Sequence, residues 1–449
     1  MTIGRSARMF LGAIAVLLAT SASAAAQTND EIFPQFQWNF STPGARANAM
    51  GRAFIGMADD ATATISNPAG LVSLTRPQVY LEFKSTNLEV DRLAKSDSLT
   101  TLNPTTSSAD INALSFFSVS MPFKSRFAVG FTVHQFLNYQ EEFTLDPRPI
   151  PNSPGQFVFF PVTGSADFKG TTFGVTASAV VSPKLNVGVT ISANHLDAQA
   201  LATRNKVLFN PTRDSGIIAN QTVTDKTSTV AAFSFGVLYK PSDKISVGLL
   251  GAMAPKFKID EDKLLNPGFD TNTNQPLTGD PDFPKPVTIA VPNRFGVGLA
   301  ARPTPKWVLA FDAVWIQYSS LTSKENFTLI FNDSDNLFGD EFVTKDVTEM
   351  HFGAEYNVRS GNMPIFLRAG VFTNPNHAVK FTGVHDPTSS AIDTIEENVS
   401  DEAIYNFLPR DMETRGTIGA GFVFGQRAQL DIAYVVGKEL VASTAIRFR

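Results

Sequence analysis

In residues 185–193, LNVGVTISA, every second side chain is apolar: Leu185, Val187, Val189, Ile191 and Ala193 alternate with Asn186, Gly188, Thr190 and Ser192. Successive side chains on a β-strand point to opposite faces, so such a segment has one apolar face and one polar or small face. Residues 127–134, FAVGFTVH, follow the same rule, with Phe127, Val129, Phe131 and Val133 on one side. So do residues 428–436, with Leu430, Ile432, Tyr434 and Val436. Period two dominates from Arg76 onward, which leaves two families of structure: a soluble antiparallel sandwich or a membrane barrel.

Three features favour the barrel. The polar face is rich in Gly, Ser and Thr, as a lumen requires. Connections alternate between short ones (122–125, 182–184, 240–243, 303–305, 359–363, 425–427) and long ones (around 88–110, 144–165, 204–228, 261–286, 331–346, 383–411). The last, 437–439, is short although it falls in the long series. The chain ends in a strand, VASTAIRFR, with Phe448 next to last. Short turns at one end and long loops at the other are the pattern of an outer-membrane barrel. The alternation predicts fourteen strands, beginning near residues 77, 111, 126, 167, 185, 229, 244, 288, 306, 347, 364, 414, 428 and 440. The even count puts both barrel ends on the periplasmic side. Trp307, Trp315, Tyr239, Tyr318 and Phe448 fall near strand ends, where aromatic girdles are expected.

The N-terminus reads as an export signal. Arg5 and Arg8 precede MFLGAIAVLLA, an apolar run too short to span a bilayer, and Ala22-Ser23-Ala24 and Ala24-Ala25-Ala26 fit the small-x-small cleavage rule. The expected division is a signal peptide over 1–26, an N-terminal segment over 27–75 and a barrel over 76–449, in the outer membrane of a Gram-negative-type bacterium. Absence of cysteine excludes disulfides and thiolate metal sites. A net charge of −5 offers no basic face for nucleic acid. The segment before the barrel includes ADDATATISNPAGL, residues 58–71, which is too poor in apolar residues for a core helix and too broken for a strand. A barrel of this size encloses water unless something fills it, and residues 27–75 are the expected filler.

Residues 36–77, FQWNFSTPGARANAMGRAFIGMADDATATISNPAGLVSLTRP, resemble the hatch of the FadL/TodX-type outer-membrane transporters of hydrophobic compounds. The shared pieces include Phe36-Gln37, the Asp59-Asp60 pair, Asn67-Pro68-Ala69, and Arg76-Pro77 entering the first strand. Residues 291–319 and 230–260 resemble that family's eighth-to-ninth and sixth-to-seventh strands. The resemblance implies an all-β, 14-stranded antiparallel transmembrane β-barrel with an N-terminal hatch in its lumen. It also implies passive uptake of long-chain fatty acids or aromatic hydrocarbons, with capture between outer loops, transfer to an apolar pocket, and lateral release at a kinked third strand. On that view Phe36 lies near the pocket, and Asp59, Asp60, Asn67, Pro68 and Ala69 serve in hatch docking and gating. Gly130 is the candidate kink. QTNDEIFPQ before Phe36, the terminal Arg449 and the polar loops depart from the family pattern.

Alternation also turns Arg294, Arg368, Arg415, Arg447, Asp312, Glu355 and Asp431 inward. This is expected whatever the function, because a charge on the lipid face costs ~2–4 kcal/mol at mid-membrane. A lumen salt-bridge network is the reading favoured for them. His134, His195, His351, His377 and His385 show no metal spacing, and DTNTN at 270–274 is half a calcium loop, with Gln275 where Gly is needed. No nucleophile or phosphate-loop motif appears, so no enzyme, metal or cofactor is expected. Expected partners are a hydrophobic small molecule, outer-membrane lipid and lipopolysaccharide, and the barrel-assembly machinery, with the chain a monomer. The alternative is a barrel of this kind serving a secretion machine as a structural or protein-handling part.

Overall fold

A computed structural model describes residues 38–448 apart from 39, 97–101, 125, 146–147, 150–156, 160–161, 211–212, 266–268, 271–274, 277–284, 323–341, 359–362, 378–379, 382–411 and 426. The expected signal peptide, Phe36, His385 and most of the DTNTN stretch lie outside the described residues. Fourteen antiparallel strands close into a barrel. The first six are β1 (Gln78–Ser96), β2 (Leu102–Phe123), β3 (Phe127–Leu145), β4 (Val162–Ser182), β5 (Leu185–Asn210) and β6 (Arg213–Ser242). Two interrupted strands follow, β7 (Ile245–Met253, then Lys256–Leu265) and β8 (Lys285–Ala290, then Arg294–Thr304). The circuit finishes with β9 (Trp307–Ile316), β10 (Val347–Val358), β11 (Ile365–Asn374), β12 (Glu413–Phe424), β13 (Ala428–Val435) and β14 (Glu439–Arg447). Pairing of β1 with β14, from Gln78↔Arg447 to Thr86↔Glu439, closes the wall.

Burial follows the alternation, with the apolar face outward. On β7, Ile245, Val247 and Leu249 are exposed while Ser246, Gly248 and Leu250 are buried. Ile191 is 65% and Val175 61% exposed, values that only a lipid surrounding makes favourable. Trp307, Trp315, Tyr239 and Phe448 face outward near strand ends. Tyr318 does not: it is buried and stacked on His377 at 4.0 Å. It follows the end of β9 in a 3-10 turn, where strand parity no longer sets its direction.

The strand starts agree with the alternation to within a few residues, except where strands run past the apolar belt. Segments expected as loops at 88–110 and 204–228 are in large part strand, and β5 and β6 stay paired up to Asn210↔Arg213. Backbone pairing continues there without an apolar face, through stretches such as VTDKTSTV that favour strands by β-branching.

Among the described residues the wall parts in two places. β2 and β3 pair only from Phe123↔Phe127 to Phe116↔His134. Where they part, both strands carry an irregularity: β2 skips Ser115 in its register with β1, and β3 skips Phe136 in its register with β4. Each extra residue bends its strand. Gly130 is not the kink. It is paired on both sides, with Ser120 and Thr176, and the register change falls beyond it. Its missing side chain instead leaves room for Leu71 and Thr64 of the hatch, whose carbons lie 3.0 Å from where a Cβ would stand. The second parting is between β6 and β7.

Inside the lumen, the hatch folds as α1 (Ala45–Ala49), α2 (Ala63–Ser66) and a 3-10 turn, Pro68–Ser73. Its small side chains, among them Ala45, Ala47, Ala49, Ala53, Ala58 and Ala61, are fully buried. Short side chains let the hatch backbone lie directly on the wall.

Candidate functional site

Asn67 is fully buried at the start of the 3-10 turn. Its Oδ1 accepts from Ala69 N at 3.2 Å, which caps the turn. Its Nδ2 donates to Ile55 O of the hatch at 2.9 Å and to Val237 O of β6 at 3.1 Å. The side chain therefore ties two hatch segments to the wall. Pro68 lies against Gly188, and Ala69 O accepts from Ser178 Oγ at 3.2 Å. These contacts sit near the short-turn end of β4–β7. Glycine makes the approach feasible: a Cβ at Gly236 would stand 2.0 Å from Asn67 Oδ1, and one at Gly248 2.2 Å from Ile55 O. Gly236→Ala is expected to unseat Asn67, raising the ion leak of the purified protein in planar bilayers while the barrel stays heat-resistant on gels. An unchanged leak would show that this seat does not hold the hatch.

Three of the seven inward charges form one network around a hatch arginine. Arg46 donates to Glu355 at 2.9 and 3.0 Å and to Asp59 at 2.5 Å. Arg368 donates to the same Glu355 at 2.6 Å and to Asp431 at 2.7 Å. Asp59 also meets Arg302 at 3.3 Å. Asp312 takes a different part: its carboxylate accepts the backbone N–H groups of Phe54 and Ile55 at 2.6 and 2.8 Å. Arg294 is not ion-paired among the described residues, and lies over the Phe40 ring at 4.6 Å. Arg415 bonds Glu413 and the Val436 carbonyl, and Arg447 bonds Gln429. The expected seven-member network is thus a core of three, because parity sets which face a charge takes but not how far along the lumen it sits. Asp60 accepts from Thr62 N and Oγ1 at 2.9 and 2.6 Å, and burial pushes its carboxyl up to about 6 against the opposing pull of Arg46.

Two further acids tie the hatch to β1 and β14. Glu82 accepts from Gly44 N of the hatch and, at 2.6 Å, from Ser115 Oγ, the extra residue of β2. Glu439 meets Arg52 at 3.3 Å and Lys84 at 3.8 Å. Each acid stands at an inward position, a signal available from parity. The weak alternation of YLEFKSTNLEV in β1 hides it.

Above the hatch are two cavities. The first encloses about 1000 Å³ of space, including its part open to solvent. Trp38, Phe136 and Phe372 form apolar wall, and Arg52, Lys84 and Glu439 form charged wall. Its lining includes Ile111, Ala113 and Ser115 of β2 and residues 135–138 of β3, so it reaches the first parting. The second, of about 690 Å³ on the same measure, reaches the other parting through Ala232, Met253 and Ala254. Phe136 borders both. The bulge turns it inward, between Trp38 (centroids 6.4 Å apart) and Phe257 (6.2 Å, planes 3° apart). Trp38 is 6% exposed. Among the described residues no cluster of acids and histidines is placed to hold a metal.

Comparison with known proteins bears on this arrangement. The family model described as outer membrane protein transport protein (OMPP1/FadL/TodX) matches residues 15–380. No curated protein matches the sequence. A Pseudomonas aeruginosa FadL homologue superimposes with a TM-score of 0.59 at 14% identity, over 92% of this chain and 99% of that one. The toluene transporter TodX of P. putida gives 0.55 at 13%, over 92% and 100%. A monoaromatic hydrocarbon channel, CymD, gives 0.54 at 13%, over 92% and 99%. At these identities the likeness is one of fold.

Proposed function

The chain belongs to the OMPP1/FadL/TodX family of outer-membrane transport proteins, and from that premise we propose that it carries hydrophobic small molecules passively across the outer membrane. The substrate classes that fit are long-chain fatty acids and aromatic hydrocarbons. The observation that carries the reading is the first cavity: an aromatic wall inside a plugged barrel, continuous with the parting of β2 and β3. A molecule entering from the long-loop end meets Trp38, at the start of the hatch, and Phe136 of β3 before the rest of the hatch. Burying one such contact is worth roughly 1.5–3 kcal/mol. The parted strands give a sideways exit into lipid, so an apolar solute need not pass the hatch or the periplasmic water. The driving force is the concentration gradient. Glu82 supports coupling between plug and exit, because one carboxylate holds both Gly44 and Ser115.

Phe136→Ala is expected to weaken binding of naphthalene to the purified protein by about tenfold, as loss of ~1.4 kcal/mol of contact implies. Tryptophan fluorescence titration measures it. Ala113→Trp, which fills the parting, is expected to slow uptake of radiolabelled naphthalene or palmitate by cells at matched surface levels. If cells with the intact protein take up neither probe faster than cells without it, the transport reading fails and a role beside a secretion machine gains ground.

A further inference from the structure

We propose that the barrel has a second lateral opening, a window between β6 and β7 through which a neutral hydrophobic molecule passes between the second cavity and the outer leaflet. The inference rests on the transport reading above and adds a separate exit.

The pairing of β6 with β7 runs from Ser242↔Ile245 to Phe233↔Met253 and stops. It resumes only at Val223↔Asp262 and continues to Asn220↔Leu265. Between these, residues 224–232 and 254–261 share no ladder. A frayed strand end does not re-pair further out, so this gap is a window with a closed top. The cause is written in the chain. Pro255 on β7 and Pro292 on β8 fall at one level, between the pairs Arg294↔Ala252 and Lys256↔Ala290. Proline offers no N–H to a ladder and is confined to edges and breaks.

The break is directional. β7 and β8 remain bonded to each other through it: Val291 N donates to Pro255 O at 3.1 Å, and Ala254 N donates to Asn293 Oδ1 at 2.9 Å. The Asn293 amide in turn donates to Gln317 Oε1 at 3.0 Å, and Asn293 O accepts from Gln317 N at 3.0 Å. A side chain replaces the bonds that the prolines remove on one side of β7, while no backbone ladder joins residues 254–261 of β7 to residues 224–232 of β6. The outer segments of β7 and β8 stay paired with each other, with Phe257 stacked on Phe136 inside the lumen.

The frame suits an apolar passenger. The second cavity lies directly behind the window, and Ala232, Phe233, Met253 and Ala254 form the sill. Were the register continued from Phe233↔Met253, Ala232 would face Ala254, so two methyl groups stand where the wall is open. Outward side chains on β5 and β6 change character at this height. Ile191 and Ala193, and Phe233 and Ala231, give way to His195 and Thr229. The window therefore opens at the outer edge of the lipid belt, and a molecule leaving it reaches acyl chains directly. The β2–β3 parting lies several strands away around the wall.

The test fills the window and then probes it. Ala232→Trp and Ala254→Trp are made separately, with heat-resistant mobility on gels as the check of folding. Uptake of radiolabelled naphthalene at matched surface levels is expected to fall several-fold in each, and to fall further when either is combined with Ala113→Trp. If both variants take up naphthalene like the parent, the window is not used. A second measurement stands apart from uptake. The chain has no cysteine, so Met253→Cys provides a single thiol at the sill, and Val247→Cys provides one on the same outward face away from it. In detergent, naphthalene is expected to slow N-ethylmaleimide modification of Met253→Cys several-fold and to leave Val247→Cys unchanged. Equal rates at Met253→Cys with and without naphthalene overturn the window. Protection without any uptake by the intact protein would sink the transport reading and keep the window as a binding site.

Discussion

Deleting residues 27–75 while keeping residues 1–26 should turn a barrel that conducts little into one with large, stable conductance in planar bilayers. Eight strands leave an interior that side chains fill, and sixteen leave an aqueous channel. Fourteen lie nearer the second case, so the hatch is expected to be what closes the lumen. The described hatch is buried almost throughout, with Met50, Phe54 and Met57 among the largest fully enclosed side chains. If the undeleted protein already conducts like a porin, residues 27–75 are not a plug.

The second large effect is expected at Glu355. This carboxylate accepts from Arg46 and Arg368 at once, and its side chain is 5% exposed. Glu355→Ala leaves two guanidinium groups facing each other without their shared acid. Breaking a buried pair in this way is strongly destabilising, by ~3–5 kcal/mol. The midpoint of urea unfolding should fall accordingly, and the hatch should leak, since Arg46 is a hatch residue. Arg294→Ala, which removes a charge that makes no salt bridge among the described residues, should shift the midpoint far less. Equal shifts for the two would show that the network holds nothing that a lone inward charge does not.

Much of the wall was legible because lipid outside and packed lumen inside impose opposite chemistry on alternate residues. Residues 245–250 spell out both faces, and the short turns mark the strand starts. What was not legible had no periodic cause. Strands rise past the lipid belt on backbone pairing alone, as β6 does over IIANQTVTD. The bend in β3 comes from one surplus residue, Phe136, which no composition flags, while Gly130 carries the expected mark of a kink and serves as a seat for the hatch. Inward charges were found by parity, yet Arg46, the hub of their network, lies in a segment without period. The glycines at 236 and 248 read as lumen lining. Their purpose is visible only with Asn67 and Ile55 on top of them.

The closing strands have a consequence for how the molecule is made. The hatch grips both sides of the closure: Gly44 N donates to Glu82 on β1, while Ala45 N donates to Ser443 Oγ on β14 at 3.1 Å, and Tyr80 OH meets the same hydroxyl at 2.8 Å. Arg52 reaches Glu439, the residue opposite Thr86 in that pairing. Because these bonds reach both closing strands, the hatch is expected to be in place when the first strand joins the last. A chain with a damaged hatch core should therefore show its defect early, as slow closure during insertion, before any difference appears in the finished channel.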